Sequence, residues 1–327
     1  MSTLTLRRAQ KGAGSPLLQL AQYGALLVVA VLPFLGNDYY VTLAVNLCVT
    51  LILTLSLNLV VGYSGQFHLS HAAFFGVGAY GSAILAKTLG LSPWVCLPVV
   101  VALVAGLAFL VGIPATRLKG LYLAVATLAF SLFVEVLVNQ GGSVTGGGYG
   151  IQNIPAVSLL GYPLRGRYFY PLALLCVLGT AWGLSNLMGS KLGREIIATK
   201  DHADAASASG IHPPVVRVLV LMMAGGLAAL AGWLQCFFHL TINAGLLRPE
   251  LTFVWFFMVL VGGIGNARGV VLGTAILSLG PELLGFATGQ TILVTGVLMI
   301  LVTLFAPSGL GGVLDDAGKR LFGRASS

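Results

Sequence analysis

Runs of roughly twenty apolar residues, separated by short polar breaks, recur along nearly the whole chain. A helix needs about 20 such residues to cross a hydrocarbon layer ~30 Å thick. The pattern predicts spans at 17–36, 39–61, 68–90, 93–116, 120–140, 168–188, 215–240, 248–264, 269–287 and 289–306, ten in all. Glycine, proline and polar residues interrupt the third and the last three, which suits short or broken helices. The expected fold class is all-α: a polytopic integral membrane protein of about ten transmembrane helices. One membrane domain covers 17–312, with polar tails at 1–16 and 313–327.

Composition narrows this picture. With 57% hydrophobic residues and 8% charged, there is too little polar material to cover a soluble surface. The 44 glycines suit closely packed spanning helices. The first run begins too deep in the chain, and is too long, for a cleaved signal peptide, so it is expected to stay as a span. The net charge of +8 comes from singly scattered bases with no patch or stripe, which argues against nucleic acid. Topology accounts for it instead. With the N-terminus in the cytoplasm, Arg7, Arg8, Lys11, Arg117, Lys119, Lys191, Arg194, Lys200, Arg217, Arg268, Lys319, Arg320 and Arg324 lie inside, against Lys87, Arg165, Arg167 and Arg248 outside. Lys and Arg are enriched in cytoplasmic loops, so both termini are expected inside and the glycine-rich loop 141–167 outside. Cys48, Cys96, Cys176 and Cys236 fall in four separate apolar runs without a CxxC pair, so neither a disulfide nor a metal framework is expected.

The polar breaks carry the candidate chemistry. GREIIATKDHADAASASGIHPP (193–214) is the most polar internal stretch. It predicts one cytoplasmic helix over 193–210, closed by Gly210 in the left-handed conformation and followed by Pro213 and Pro214 in the first turn of the next span. Its alanines leave a shallow face that suits a close fit to another protein; a solvated helix touching nothing has the same composition. The stretch from Gly62 to Ser70 is too polar for a lipid-facing helix. Irregular backbone at membrane depth survives only where protein or a water-filled cavity satisfies it. The expectation is a broken helix or re-entrant loop lining a path, with Gly65 in the loop and Gln66, Ser70 and His71 facing the path; the alternative is a cytoplasmic loop joining two spans. His68 and His71 are one helical turn apart but lack a third ligand, so no metal is expected. Glu135 is the carboxylate well inside a span, and an intramembrane acid costs ~2.5–3.5 kcal/mol at mid-helix, so it is a path candidate with a structural role as the alternative. In VTGGGYGI (144–151), Thr145, Gly146 and Gly147 belong to a loop able to close the outer mouth and meet a binding protein; glycine-rich flexibility without contact is the alternative. Gly263, Gly265 and Gly269 imitate part of a dinucleotide fingerprint, yet spans flank them, which leaves a tight turn closed by Arg268. Gly225, Gly226, Ala229 and Gly232 form a small-residue surface for close helix contact.

Asp204-Ala205-Ala206, three residues, then Gly210 resembles the acid-Ala-Ala-x-x-x-Gly loop that ABC importer permeases insert into their ATPase subunits. Gly193-Arg194, Ala198, Asp201, Ala205-Ala206 and Gly210-Ile211 are similar to the version found in branched-chain amino-acid permeases of the LivM type. GYSGQFHLSHAAFFGVGAY (62–80), VTGGGYGI (144–151), VLVGGIGNARGVVLGTAIL (259–277) and LFAPSGLGG (304–312) resemble that family's other motifs, in family order, over about 40–312. The resemblance implies a permease that pairs with a LivH-type permease, two ABC ATPase subunits and a periplasmic substrate-binding protein in the bacterial inner membrane. It implies that Gly193, Arg194, Ala198, Asp201, Asp204, Ala205, Ala206 and Gly210 couple to the ATPases. The chain carries no phosphate-binding Gly-x-x-x-x-Gly-Lys-Ser/Thr loop, so no cofactor is expected on it; ATP belongs to the partners, and the chain is a transport subunit rather than an enzyme. Cargo of branched-chain amino acids is implied, with urea, short amides or aromatic acids as alternatives and an ion-coupled secondary transporter as the reading from another class.

Overall fold

The computed structural model describes residues 38–118, 120–159, 161–283, 296 and 309–312. The span expected at 17–36, that at 289–306 apart from residue 296, the last residues of that at 269–287, both tails, and the motif residues 304–308 lie outside the described residues. Within them the chain is mostly helical: α1 (Asp38–Asn58, extended as a π-helical turn over Leu59–Tyr63), α2 (His71–Lys87), α3 (Pro93–Ala115), α4 (Leu121–Asn139), α5 (Tyr170–Gly189), α6 (Lys191–Asp201), α7 (Ala203–Ala208), α8 (Pro213–His239), α9 (Pro249–Gly262) and α10 (Ala267–Leu283). Among the described residues five helical stretches are long and apolar enough to cross a membrane: Asp38–Tyr63, Pro93–Ala115, Leu121–Asn139, Gly166–Gly189 and Pro213–His239. The chain is therefore a multi-pass membrane protein.

Helix α1 is the hub. Of its most apolar window 89% is buried inside the chain, against 22% for the window containing α5, so α1 is central and α5 peripheral. A helix this apolar has no polar face to choose its neighbours, and four side chains do so instead. Asn46 Oδ1 lies 3.0 Å from His239 Nε2 of α8. Thr54 Oγ1 accepts from Thr274 Oγ1 of α10 at 2.9 Å, and Ser56 Oγ lies 2.7 Å from His71 Nε2 of α2. Asn58 Oδ1 accepts the Gly265 N–H at 2.9 Å. Interhelical hydrogen bonds of this kind act as glue where burial of apolar surface cannot discriminate between lipid and protein.

Helix α8 lies against α2 and α3 through its small residues. A Cβ on Gly225 would sit 3.0 Å from the Ala108 Cβ of α3. A Cβ on Gly78 of α2 would sit 2.6 Å from the Ala229 Cα, and one on Gly232 would strike the Phe75 carbonyl and lie 2.7 Å from the Ala79 nitrogen. The small-residue surface read from the sequence is thus the contact surface of α8.

Two expected spans come out shorter than the pattern suggested. The run at 68–90 is helical only from His71 to Lys87, and that at 248–264 only from Pro249 to Gly262. Fourteen residues extend about 21 Å at 1.5 Å per residue, less than the hydrocarbon thickness. Irregular backbone leads into α2 over 64–70, and a segment holding a 3-10 turn (Ala244–Leu247) leads into α9 over 240–248; the chain approaches the two helices from opposite ends of the bundle. The turn between α9 and α10 is closed by Asn266 rather than Arg268: Asn266 Oδ1 accepts the Gly269 N–H at 3.1 Å, the bond of a helix N-cap that a guanidinium, having no acceptor, is unable to make. Asn266→Ala is expected to cost about 1 kcal/mol and lower the detergent melting temperature by a few degrees, with Arg268→Ala nearer to wild type.

Candidate transport path and coupling site

The break between α1 and α2 begins where the hydrogen bonds of α1 widen. Ser64 N–H donates to the Leu59 carbonyl at 3.1 Å and Gln66 N–H to that of Val60 at 3.0 Å. Single π turns inside helices often accompany functional sites. The chain then climbs back into the bundle. His71 pairs with Ser56, which lies seven residues and about 10 Å before Tyr63 along α1. Residues 64–70 therefore form irregular backbone at depth, and protein satisfies it. Gln66 Nε2 donates to Ser64 Oγ at 2.7 Å and to the Arg217 carbonyl at 3.2 Å. Leu69 N–H donates to Thr127 Oγ1 of α4 at 2.9 Å, and Ala72 N–H to Thr252 Oγ1 of α9 at 3.0 Å. Gln66, Ser70 and His71 are buried, while Gly65 and Phe67 reach the surface of the chain. His68 engages Ser70 and His71 engages Ser56, so the two histidines have separate partners. Among the described residues no three His, Cys, Asp or Glu side chains gather as a metal site would need.

The polar stretch 193–210 is a helix pair, not one helix. Ser190 caps α6 by accepting the Gly193 N–H at 3.3 Å, and Lys191 and Glu195 pair at 3.7 Å one turn apart. The backbone breaks at His202 (φ −148°, ψ 88°) before α7. Gly210 has φ +81° and α8 starts at Pro213, both as the sequence indicated. Ile196, Thr199 and Ala206 are buried against the bundle, whereas Arg194, Asp201, Asp204 and Ala205 are exposed and Ala198 is half-buried. Lys200, which the sequence offers with Arg194, Asp201 and Asp204 for charged contacts to a partner protein, bonds within the chain. Its ammonium donates to the Gly62 carbonyl at 2.7 Å, and its stem lies over Gly65, where a Cβ would be 3.0 Å from Lys200 Cγ. The helix pair is thus pinned directly to the break in the central helix.

At the opposite end, the glycine-rich loop is latched to the segment leading into α9. Ile151 and Ile242 exchange two backbone hydrogen bonds of 2.9 Å, and Ile154 N–H donates to the Leu240 carbonyl at 3.1 Å. Gly150 (φ +71°) allows this approach, since a Cβ there would meet the Ile242 carbonyl. Thr145 Oγ1 donates to the Val138 carbonyl at 2.7 Å, and the Gly147 N–H donates to Thr145 Oγ1 at 3.3 Å; Gly146 (φ +73°) follows the single helical turn Gly142–Thr145. Beside this latch is a cavity of about 480 Å³ lined by Glu135, Asn139, Tyr149, Asn243 and Arg248 among others. Glu135 is half-buried there. From the sequence Arg248 was expected only as an external charge, and its partners in the cavity from α4 lie more than a hundred residues away. The signal for α1 was available: Asn46, Thr50, Thr54 and Asn58 repeat every fourth residue through an otherwise apolar run.

Residues 39–306 match the family described as "Branched-chain amino acid transport system / permease component". The chain is 31% identical to the high-affinity branched-chain amino acid transport system permease protein LivM of Escherichia coli K12, over 91% of this chain and 76% of that one. It is 28% identical to a probable branched-chain amino acid transport permease protein LivH of Methanocaldococcus jannaschii, over 84% and 92%. It is 27% identical to the autoinducer 2 import system permease protein LsrC of Salmonella paratyphi B, over 57% and 54%. No solved structure matches the chain.

Proposed function

The chain belongs to the branched-chain amino acid transport permease family, and from that premise we propose that it forms one of the two permeases of an ATP-driven importer for leucine, isoleucine and valine. The second permease is of LivH type, two ABC ATPases sit on the cytoplasmic side, and a periplasmic binding protein delivers cargo at the outer end. The chain sits in the bacterial inner membrane with about ten spans and both termini in the cytoplasm, and ATP is held by the partners alone. The unit 17–312 is the permease domain, with α6–α7 as its coupling element.

One observation carries the mechanism. The α6–α7 pair offers Arg194, Asp201, Asp204 and Ala205 outward, while Lys200 ties it to Gly62 at the foot of the central helix. When the ATPases close, they push this pair as a lever. The Lys200 contact passes the displacement to the break at 64–70, where the backbone is already non-helical and deforms without losing a run of helical bonds. The break lies beside α4 and α9, so its movement re-aims those helices, and the path between the two permeases opens alternately to either side. Gly65, Gln66, Ser70 and His71 belong to this moving segment, and Thr145, Gly146, Gly147 and Glu135 to the outer mouth.

The test is reconstitution in liposomes with the partner permease, ATPases and binding protein. ATP-dependent uptake of leucine, isoleucine and valine is expected, with urea, short amides and aromatic acids as poor competitors. Preference for one of those competitors would move the cargo to a sister system. Uptake by the isolated chain without ATP would overturn the importer reading.

A further inference from the structure

The cavity beside the outer latch holds two opposite charges that do not neutralise each other. Glu135 and Asn139 stand one helical turn apart on the last turns of α4, and so share a face. Asn243 and Arg248 flank the 3-10 turn Ala244–Leu247 that leads into α9. Among the described residues neither Glu135 nor Arg248 forms an ion pair, although both line the same space. The two amides are fixed in part: Asn139 Nδ2 donates to the Glu135 carbonyl at 3.1 Å, and Asn243 Oδ1 accepts the Gly245 N–H at 3.0 Å. The cavity of about 480 Å³ falls in the ordinary range of small-molecule sites, about 300–1,000 Å³.

A solute that satisfies this arrangement carries a cation and an anion at one end and no net charge. We infer that the cavity is a transit subsite for the main-chain zwitterion of an α-amino acid, with Glu135 receiving the ammonium and Arg248 the carboxylate. A simple cation or anion would leave one of the two protein charges unmatched. A neutral solute such as urea would leave both, and unmatched polar groups are what reject the wrong ligand. Arg248 presents a planar fork that fits a carboxylate in two-point contact. Asn139 and Asn243 hold the rim, and the cargo's side chain extends away from the charged pair, so the subsite reads the amino-acid head and not the branch. This assignment rests on the importer reading and sharpens it.

The experiment uses the assembled permease–ATPase complex in nanodiscs, without binding protein or ATP. The native cysteines Cys48, Cys96 and Cys236 are buried and Cys176 is half-buried, so a cysteine introduced as Asn139→Cys on the exposed rim is labelled by a water-soluble maleimide. Leucine at millimolar concentration is expected to slow labelling at least about fivefold, while leucinamide (no carboxylate) and N-acetylleucine (no ammonium) at the same concentration leave it unchanged. Protection is expected to vanish in Glu135→Gln and in Arg248→Gln and to return in part in Arg248→Lys. Equal protection by all three compounds, no protection by leucine, or full protection in both charge-removing variants would overturn the subsite. ATP-driven leucine uptake by the wild-type complex is measured alongside. Its absence would count against the importer, whereas uptake intact with no protection counts against the subsite alone.

Discussion

Lys200→Met is expected to leave the permease folded and, in the proposed importer, bound to the ATPases while cutting ATP-driven uptake at least about tenfold. The substitution keeps most of the stem over Gly65 and removes only the ammonium that donates to the Gly62 carbonyl at 2.7 Å. A hydrogen bond from a charged donor is worth roughly 1.5–3 kcal/mol, and about 1.4 kcal/mol is a factor of ten. ATPase turnover, uptake and co-purification should be measured on one preparation. Hydrolysis that continues while uptake falls marks a loss of transmission. A parallel fall in hydrolysis and in ATPase recovery would place Lys200 in the docking surface instead, and unchanged uptake would remove it from the mechanism. Arg at this position keeps the charge but not the compact head, so Lys200→Arg should recover only part of the loss.

Gly232→Leu is expected to abolish accumulation of folded protein. The obstacles to a side chain are the Phe75 carbonyl, the Ala79 nitrogen and, at 3.0 Å, the Gly78 carbonyl carbon. All are backbone atoms of α2, so relief requires moving the helix that follows the 64–70 break. Overpacking by a few methylenes costs about 1–3 kcal/mol where side chains can adjust; here rigid backbone adds to it, against a total stability of about 5–15 kcal/mol. Gly106→Leu is the control, because a Cβ there meets nothing within 4 Å and leucine is the better helix former. Size-exclusion profile and melting temperature in detergent decide the matter: a Gly232→Leu variant that elutes and melts like wild type would show that α8 and α2 are not locked together as described.

What the sequence disclosed and what it hid divide along one physical line. The positions of the five long apolar helices, the left-handed Gly210, the Pro213–Pro214 start of α8 and the small-residue face of α8 were all legible, because each follows from chemistry within a few residues. The bend at His202 was not: nothing in Lys200-Asp201-His202-Ala203 forbids a continuous helix, and the break comes from seating both α6 and α7 on the bundle. The contacts of Lys200 with Gly62, and of Arg248 with the cavity holding Glu135, join residues more than a hundred positions apart, which no local pattern encodes. The N-cap at Asn266 was readable but masked by the charge beside it. The break at 64–70 was recognised as unfit for lipid; that its polar groups would be answered by Thr127 and the Arg217 carbonyl needed the fold.

The latch between 151–154 and 240–242 is made by main-chain groups alone. Its specification is therefore mainly a matter of spacing, with Gly150 fixed in identity because a Cβ there would meet the Ile242 carbonyl. Substitutions at Ile151 or Ile242 that preserve an extended backbone leave the pairing in place, so these positions are free to drift in sequence while Gly150 is not. A one-residue insertion or deletion between Gly146 and Ile154 is a different event. It puts the Ile151–Ile242 and Ile154–Leu240 pairings out of step and separates the loop from the charged cavity beside it. Natural variation in this loop is expected as substitutions at constant length, with length changes confined to the stretch beyond Val157.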